Sequence, residues 1–184
     1  MKRRLFLTGP MGCGKSTIIA TAIGEKLPEF GGFLTKRLRN DDGQAIAFYL
    51  ESPDGKHREV FLDCQTAPAQ IHMDAFALLA PKLLRGAYLV LDEIGGLELL
   101  CPPFMQALDA LLAADIPVIG VVKGEGPASA MVRKLGLTET YELAAQHLRE
   151  RLRADPDTLV YDCGQHDEEA LRLAKAWVKE YAHG

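Results

Sequence analysis

Residues 4–17 read RLFLTGPMGCGKST, and the fold follows from how that stretch divides. Leu5, Phe6 and Leu7 form a short unbroken apolar run, the pattern of a strand covered on both faces. Gly9-x4-Gly14-Lys15-Ser16 completes the Walker A pattern, and helical spacing follows through about Lys26. Strand, glycine-rich turn and helix stand in the order that phosphate binding requires. Glycines let backbone amides face a phosphate chain, and the helix N-terminus adds partial positive charge. On this reading Gly9, Pro10, Met11, Gly12, Cys13, Gly14, Lys15, Ser16 and Thr17 cradle a nucleotide. Lys15 neutralises the β- and γ-phosphates, Ser16 offers its hydroxyl to Mg²⁺, and Thr17 contacts the α-phosphate. The Cys13 thiol lies near both a helix end and a lysine, a setting that activates thiols.

A second stretch, AYLVLDEIG at 87–95, supplies carboxylates at the end of another continuous apolar strand. Asp92 there would hold Mg²⁺ through water as the Walker B acid. Glu93 would orient the water that attacks the γ-phosphate, and regular strand alternation would turn it away from Asp92. Glu98 falls either in this site or at the start of the next helix. A further cation is needed to stabilise charge on the transferring phosphoryl group. Lys123 is preferred, because it follows the strand PVIGVV and open α/β sheets bind ligands at strand carboxyl ends. Arg37, Arg39 and Arg133 are the other candidates. The expected catalytic set is therefore Glu93, Lys15 and Lys123, with Ser16 and Asp92 serving the metal. Switch-type GTPases carry a glutamine near the second stretch and an NKxD motif, and both are missing here.

The chain's 184 residues suggest one domain spanning 1–184, with 48% hydrophobic and 25% charged residues as in globular proteins. A net charge of −4 offers no electrostatic reason to expect nucleic acid. The start MKRRLFLTGP has too short an apolar run for a secretory signal, and no stretch approaches a membrane span. Cys13, Cys64, Cys101 and Cys163 are scattered without a CxxC pair, which favours reduced thiols and a cytoplasmic setting. Nothing in the sequence bears on oligomeric state.

Between residues 32 and 62, Asp-Gly turns separate three β-rich runs, GGFLTKRLR, QAIAFYLES and KHREVFLD, which read as an antiparallel β-hairpin insertion. Helical spacing is expected over 73–84, after Pro103, over 128–136, before Arg153 and from Asp167 onward. TETYEL at 138–143 and TLVYDC at 158–163 read as strands. Trp177, among Leu173, Ala174 and Val178, reads as core. Strands alternating with helices over short connections predict an α/β three-layer fold with a mainly parallel sheet.

Taken together, GPMGCGKST, GGFLTKRLR, LVLDEIGGLEL and PVIGVV resemble a small P-loop nucleoside-triphosphatase family of the thermophilic and cancer-related type. The likeness covers the first two-thirds of the chain, and the DEIG-x-x-E element is its most specific part. It implies the P-loop NTPase fold with a hairpin insertion, Mg²⁺ dependence and slow hydrolysis of ATP, GTP and other nucleoside triphosphates. It also implies Gly9 to Ser16 as the nucleotide loop, Asp92 and Glu93 as the Walker B pair and Glu98 as a second family glutamate. Arg39 falls where the family tends to have arginine. Lys36, Arg37, Ala47, Gly96-Leu97, Lys123 and His147-Leu148 depart from the family pattern. Two further functions fit the same cradle: a small-molecule or nucleotide kinase, and a nucleotide-gated binding module.

Overall fold

The computed structural model describes residues 1–126, 135–137 and 139–182. The chain builds one eight-stranded sheet in the order β5-β4-β3-β2-β6-β7-β1-β8. The strands are β1 (Arg4–Thr8), β2 (Gly31–Arg39), β3 (Ala45–Glu51), β4 (Arg58–Asp63), β5 (Gln70–Ile71), β6 (Leu89–Ile94), β7 (Val118–Val122) and β8 (Thr158–Asp162). From β2 through β6, β7 and β1 to β8 every pairing is parallel. The pairings β2–β3, β3–β4 and β4–β5 are antiparallel.

Among the described residues the α-helices are α1 (Lys15–Ile23), α2 (Ala80–Leu83), α3 (Pro102–Ala113), α4 (Glu139–Ala154) and α5 (Glu168–Tyr181). Alternation along β1 explains the layers. Leu5 and Leu7 face Ile19 and Ile23 of α1 and Trp177 of α5, whereas Phe6 faces Phe104 and Leu108 of α3 and Leu148 of α4. Both faces are covered, which is why β1 and β7 are buried at every position and β1 is apolar from Leu5 to Leu7. Trp177 is fully buried, and its indole N–H donates to the Arg3 carbonyl at 2.9 Å.

The antiparallel part is an extension of the same sheet. Gly31–Leu34 of β2 pairs with β6, and Leu34–Arg39 continues into pairing with β3. One expectation changes and one gains detail. From Glu139 onward TETYEL is the first part of α4, because Tyr141, Ala145, Leu148 and Leu152 recur at helical spacing and bury one stripe. The segment 73–84 is a π-helical turn over Ala75–Leu79 followed by α2. The helix expected over 128–136 lies largely outside the described residues, as does Arg133.

Opposite the strand carboxyl ends, buried Arg4 fastens the base of the sheet. Its guanidinium bonds Asp155 at 2.6 Å and the carbonyls of Leu112 and Ala114 at 2.8 and 2.9 Å. In the larger core Phe104 is fully buried, with Phe33 and Phe76 edge-on at 6.1 and 6.4 Å. Phe104→Ala is expected to cost about 3–5 kcal/mol. Urea unfolding would read this as a lowered midpoint, and an unchanged midpoint would contradict the packing.

Candidate active site

The loop after β1 and the end of β6 meet at the carboxyl edge of the sheet, one strand apart across β7. Helix α1 begins without any of the usual N-terminal devices. Gly14 precedes it in a left-handed conformation, no side chain caps it, and its first turn holds no acidic residue. Helix α5 is the contrast within the same molecule. Asp167 accepts there from the Ala170 amide, and Glu168 and Glu169 fill the first turn. An uncapped, uncompensated N-terminus leaves backbone amides and positive dipole for an anion. Gly9, at φ 134°, admits no Cβ, because that atom would lie 2.5 Å from the Cys163 carbonyl oxygen. The loop therefore packs directly on the chain leaving β8.

Within the loop, the Lys15 ammonium donates to the carbonyls of Gly9 and Pro10 at 3.0 and 2.7 Å and approaches the Cys13 sulfur at 3.6 Å. Cys13 is buried, and all four cysteines are free. The buried thiol of Cys163 is pushed up to about 12 by burial, with Cys13 adding to the shift, so it is inert at neutral pH.

The Ser16 hydroxyl donates to Asp92 Oδ1 at 2.9 Å, which joins the two expected metal ligands. Asp92 is 6% exposed, and burial pushes its carboxyl up to about 6. The Ser16 hydrogen bond opposes that rise, the Glu93 charge adds to it, and Lys36 and Lys15 oppose it. A buried carboxylate beside a hydroxyl is a pair of hard oxygen donors, and that donor set suits Mg²⁺ with water completing its shell.

Glu93 departs from regular alternation. Asp92 pairs with Val121 and Ile94 with Val122, so Glu93 is the extra residue of a bulge. Such bulges re-aim side chains near active sites. The Glu93 amide donates to Thr35 Oγ1 at 3.2 Å, and its carboxylate accepts from the Lys123 ammonium at 3.1 Å. Lys123 thus reaches Glu93 from the end of β7.

Glu98 resolves its two readings by folding backward. It is buried at the start of a 3₁₀ turn over Leu97–Leu100, and Oε1 accepts from the amides of Gly95 and Gly96 at 2.5 and 2.8 Å. Burial raises its pKa, while the Gly96 amide and the Lys123 charge oppose the rise. The Tyr141 hydroxyl donates to the Gly95 carbonyl at 2.9 Å, closing the other side of this turn. Glu98 is thus a positioning residue for the turn that follows the two carboxylates. Glu98→Ala would leave two buried amides unsatisfied and cost about 2–4 kcal/mol. Glu98→Gln keeps an acceptor oxygen and is expected to retain most stability and turnover. A dead but stable Glu98→Gln protein would instead place Glu98 in the chemistry.

Arg39 is not brought to the loop. It lies five residues beyond Leu34, about 17 Å along the strand, and bonds the Gly43 carbonyl within the hairpin. Arg37 sits over the Phe48 ring at 5.3 Å. Thr35, Lys36 and Tyr141 were missed as site residues. The register Leu34–Asp92 was the signal for the first two, since it sets the next residues of β2 beside the carboxylates.

Two pockets flank the loop. One of about 390 Å³ lies against Gly12, Thr17, Thr21, Gln165 and His166. The other, about 650 Å³, opens between Gly9–Met11, Gly124–Gly126 and the α4 arginines Arg149 and Arg153.

A model of the NTPase family matches residues 4–155. The cancer-related nucleoside-triphosphatase homolog of Mus musculus is 31% identical over 160 residues, covering 73% of this chain and 83% of that protein. The cancer-related nucleoside-triphosphatase of Homo sapiens is 32% identical over 147 residues, covering 65% and 74%. Nucleoside-triphosphatase THEP1 of Methanocaldococcus jannaschii is 27% identical over 135 residues, covering 65% and 77%. The crystal structure of THEP1 from Aquifex aeolicus superposes with a TM-score of 0.67 over 98% of this chain and 99% of that one, at 16% identity, a match of fold. With a Walker A loop, a carboxylate pair across β7 and a family match over most of its length, the chain belongs to the NTPase family.

Proposed function

We propose that this chain is a Mg²⁺-dependent nucleoside triphosphatase that hydrolyses ATP, GTP and other nucleoside triphosphates to diphosphate and phosphate. The observation that carries the reading is the bulge at Glu93, which gives β6 a second carboxylate held by Lys123 at 3.1 Å beside the Ser16–Asp92 pair. Ser16 and Asp92 would hold Mg²⁺, which supplies charge neutralisation on the phosphate oxygens when bound. Loop amides and Lys15 orient the triphosphate. Glu93 positions a water in line with the γ-phosphorus and accepts its proton, while Lys123 fixes the carboxylate. The new P–O bond forms to water as the bond to the bridging oxygen breaks, and the nucleoside diphosphate leaves with that oxygen.

No helix among the described residues is long and apolar enough to cross a membrane. The test is to incubate the purified chain with each common triphosphate, with Mg²⁺ or EDTA, and with or without nucleosides and monophosphates. Free phosphate that needs Mg²⁺ and no acceptor is the expected result. Phosphate recovered on an acceptor would make the chain a kinase, and retained triphosphate that stays bound would make it a binding module.

A further inference from the structure

We infer that Arg149 of α4 is the cation that contacts the terminal phosphoryl group, an inference that rests on the triphosphatase reading. Of the cations expected from sequence, Arg133 lies outside the described residues, Lys123 is engaged by Glu93, Arg37 lies on Phe48 and Arg39 bonds the hairpin. On α4, Arg149 and Arg153 stand one residue beyond the buried positions Leu148 and Leu152, four apart and hence on the same side. Both line the 650 Å³ pocket whose opposite wall is Gly9–Met11, the front of the phosphate loop. Arg153 is already paired with Asp162, at 3.2 Å to each carboxylate oxygen.

Arg149 is different. Its Nη1 is sealed from solvent and has no hydrogen-bond partner among the described residues. Buried guanidinium nitrogens are otherwise paired, because an unsatisfied donor there bears its full desolvation cost. The other such atom among the described residues is Arg4 Nε, and that guanidinium makes three bonds elsewhere, far from the site. Arg149 lines the pocket beside the phosphate loop with one guanidinium nitrogen unpaired, and a guanidinium fork that turns into that pocket is suited to two phosphate oxygens at once. The Arg149 charge also reaches Tyr141, whose hydroxyl holds the Gly95 carbonyl, so the same helix serves both the phosphate and the carboxylate turn.

This arrangement supplies in cis what many P-loop enzymes take from a partner. It also predicts discrimination: Arg149 senses the third phosphate and is indifferent to a diphosphate. The experiment compares wild type, Arg149→Ala, Arg149→Lys and Arg153→Ala as full chains. Single-turnover phosphate release is measured alongside binding of Mg²⁺-ATP and Mg²⁺-ADP. Arg149→Ala is expected to lower the rate about 10³-fold. It should weaken ATP about tenfold and leave ADP within about twofold, as loss of one charge-assisted contact would. Arg149→Lys should recover part of the ATP preference, and Arg153→Ala should keep it. Should the alanine variant fail to fold, the lysine variant carries the same comparison. An Arg149 variant with the wild-type rate and wild-type ATP-to-ADP preference overturns the inference, as does a parallel loss of both ligands. A wild type that releases no phosphate would sink the triphosphatase reading while the ATP-to-ADP comparison still decides Arg149.

Discussion

Glu93→Gln should leave nucleoside triphosphate bound and uncleaved. Glutamine matches glutamate in size and can still accept from Lys123, so the bulge and its Thr35 contact have no reason to move. What disappears is the negative charge that orders the attacking water and the basicity that takes its proton. Positioned general bases contribute about 10²–10⁴-fold, and kcat is expected to fall by that factor. Because Glu93 stands apart from the loop amides and Lys15, triphosphate affinity should stay within about threefold. A pre-steady-state assay with radiolabelled γ-phosphate separates the two quantities. Wild-type turnover in this variant would remove Glu93 from the mechanism and return attention to Asp92.

The complementary expectation concerns Lys15. Its ammonium now rests on the carbonyls of Gly9 and Pro10, holding the loop in shape with a charge that phosphate oxygens would claim. Lys15→Ala deletes two charge-assisted contacts to the β- and γ-phosphates, each worth about 1.5–3 kcal/mol. That corresponds to a loss of about 10²–10⁴-fold in affinity, with turnover abolished at ordinary concentrations. Isothermal titration with Mg²⁺-ATP reads it directly, and wild-type affinity would contradict the cradle. Together the two variants separate holding the phosphate from releasing it.

The loop, β1, β6 and β7 were legible because strands buried on both faces must be continuously apolar and phosphate loops need glycine at set positions. Asp167 as the start of the last helix was legible for a similar local reason, since a capping carboxylate precedes the amide it accepts from. The bulge at Glu93 was not, because alternation assumes an unbroken ladder and one extra residue leaves no compositional trace. TETYEL misled through its threonines and tyrosine, which favour strands, although the spacing from Tyr141 to Leu152 carried the helix. Arg149 lies in the charged run HLRERLRAD at 147–155, which by composition alone is a solvated helix face. Only the placement of α4 against the loop distinguishes it from its neighbours.

The continuity of β2 has a consequence for anyone who would trim or decorate this chain. One strand serves the parallel sheet through Gly31–Leu34 and the antiparallel part through Leu34–Arg39. Excising residues 40–71 as if they were a detachable module would strip β3 from β2. The result would be an open edge of unpaired backbone beside the most buried strands, a template for intermolecular association. The turns at Asn40–Gln44 and Ser52–His57 bear no such burden, because their hydrogen bonds close on themselves. They are the positions at which a tag, a fluorophore or an extra loop can be grafted while the sheet stays closed.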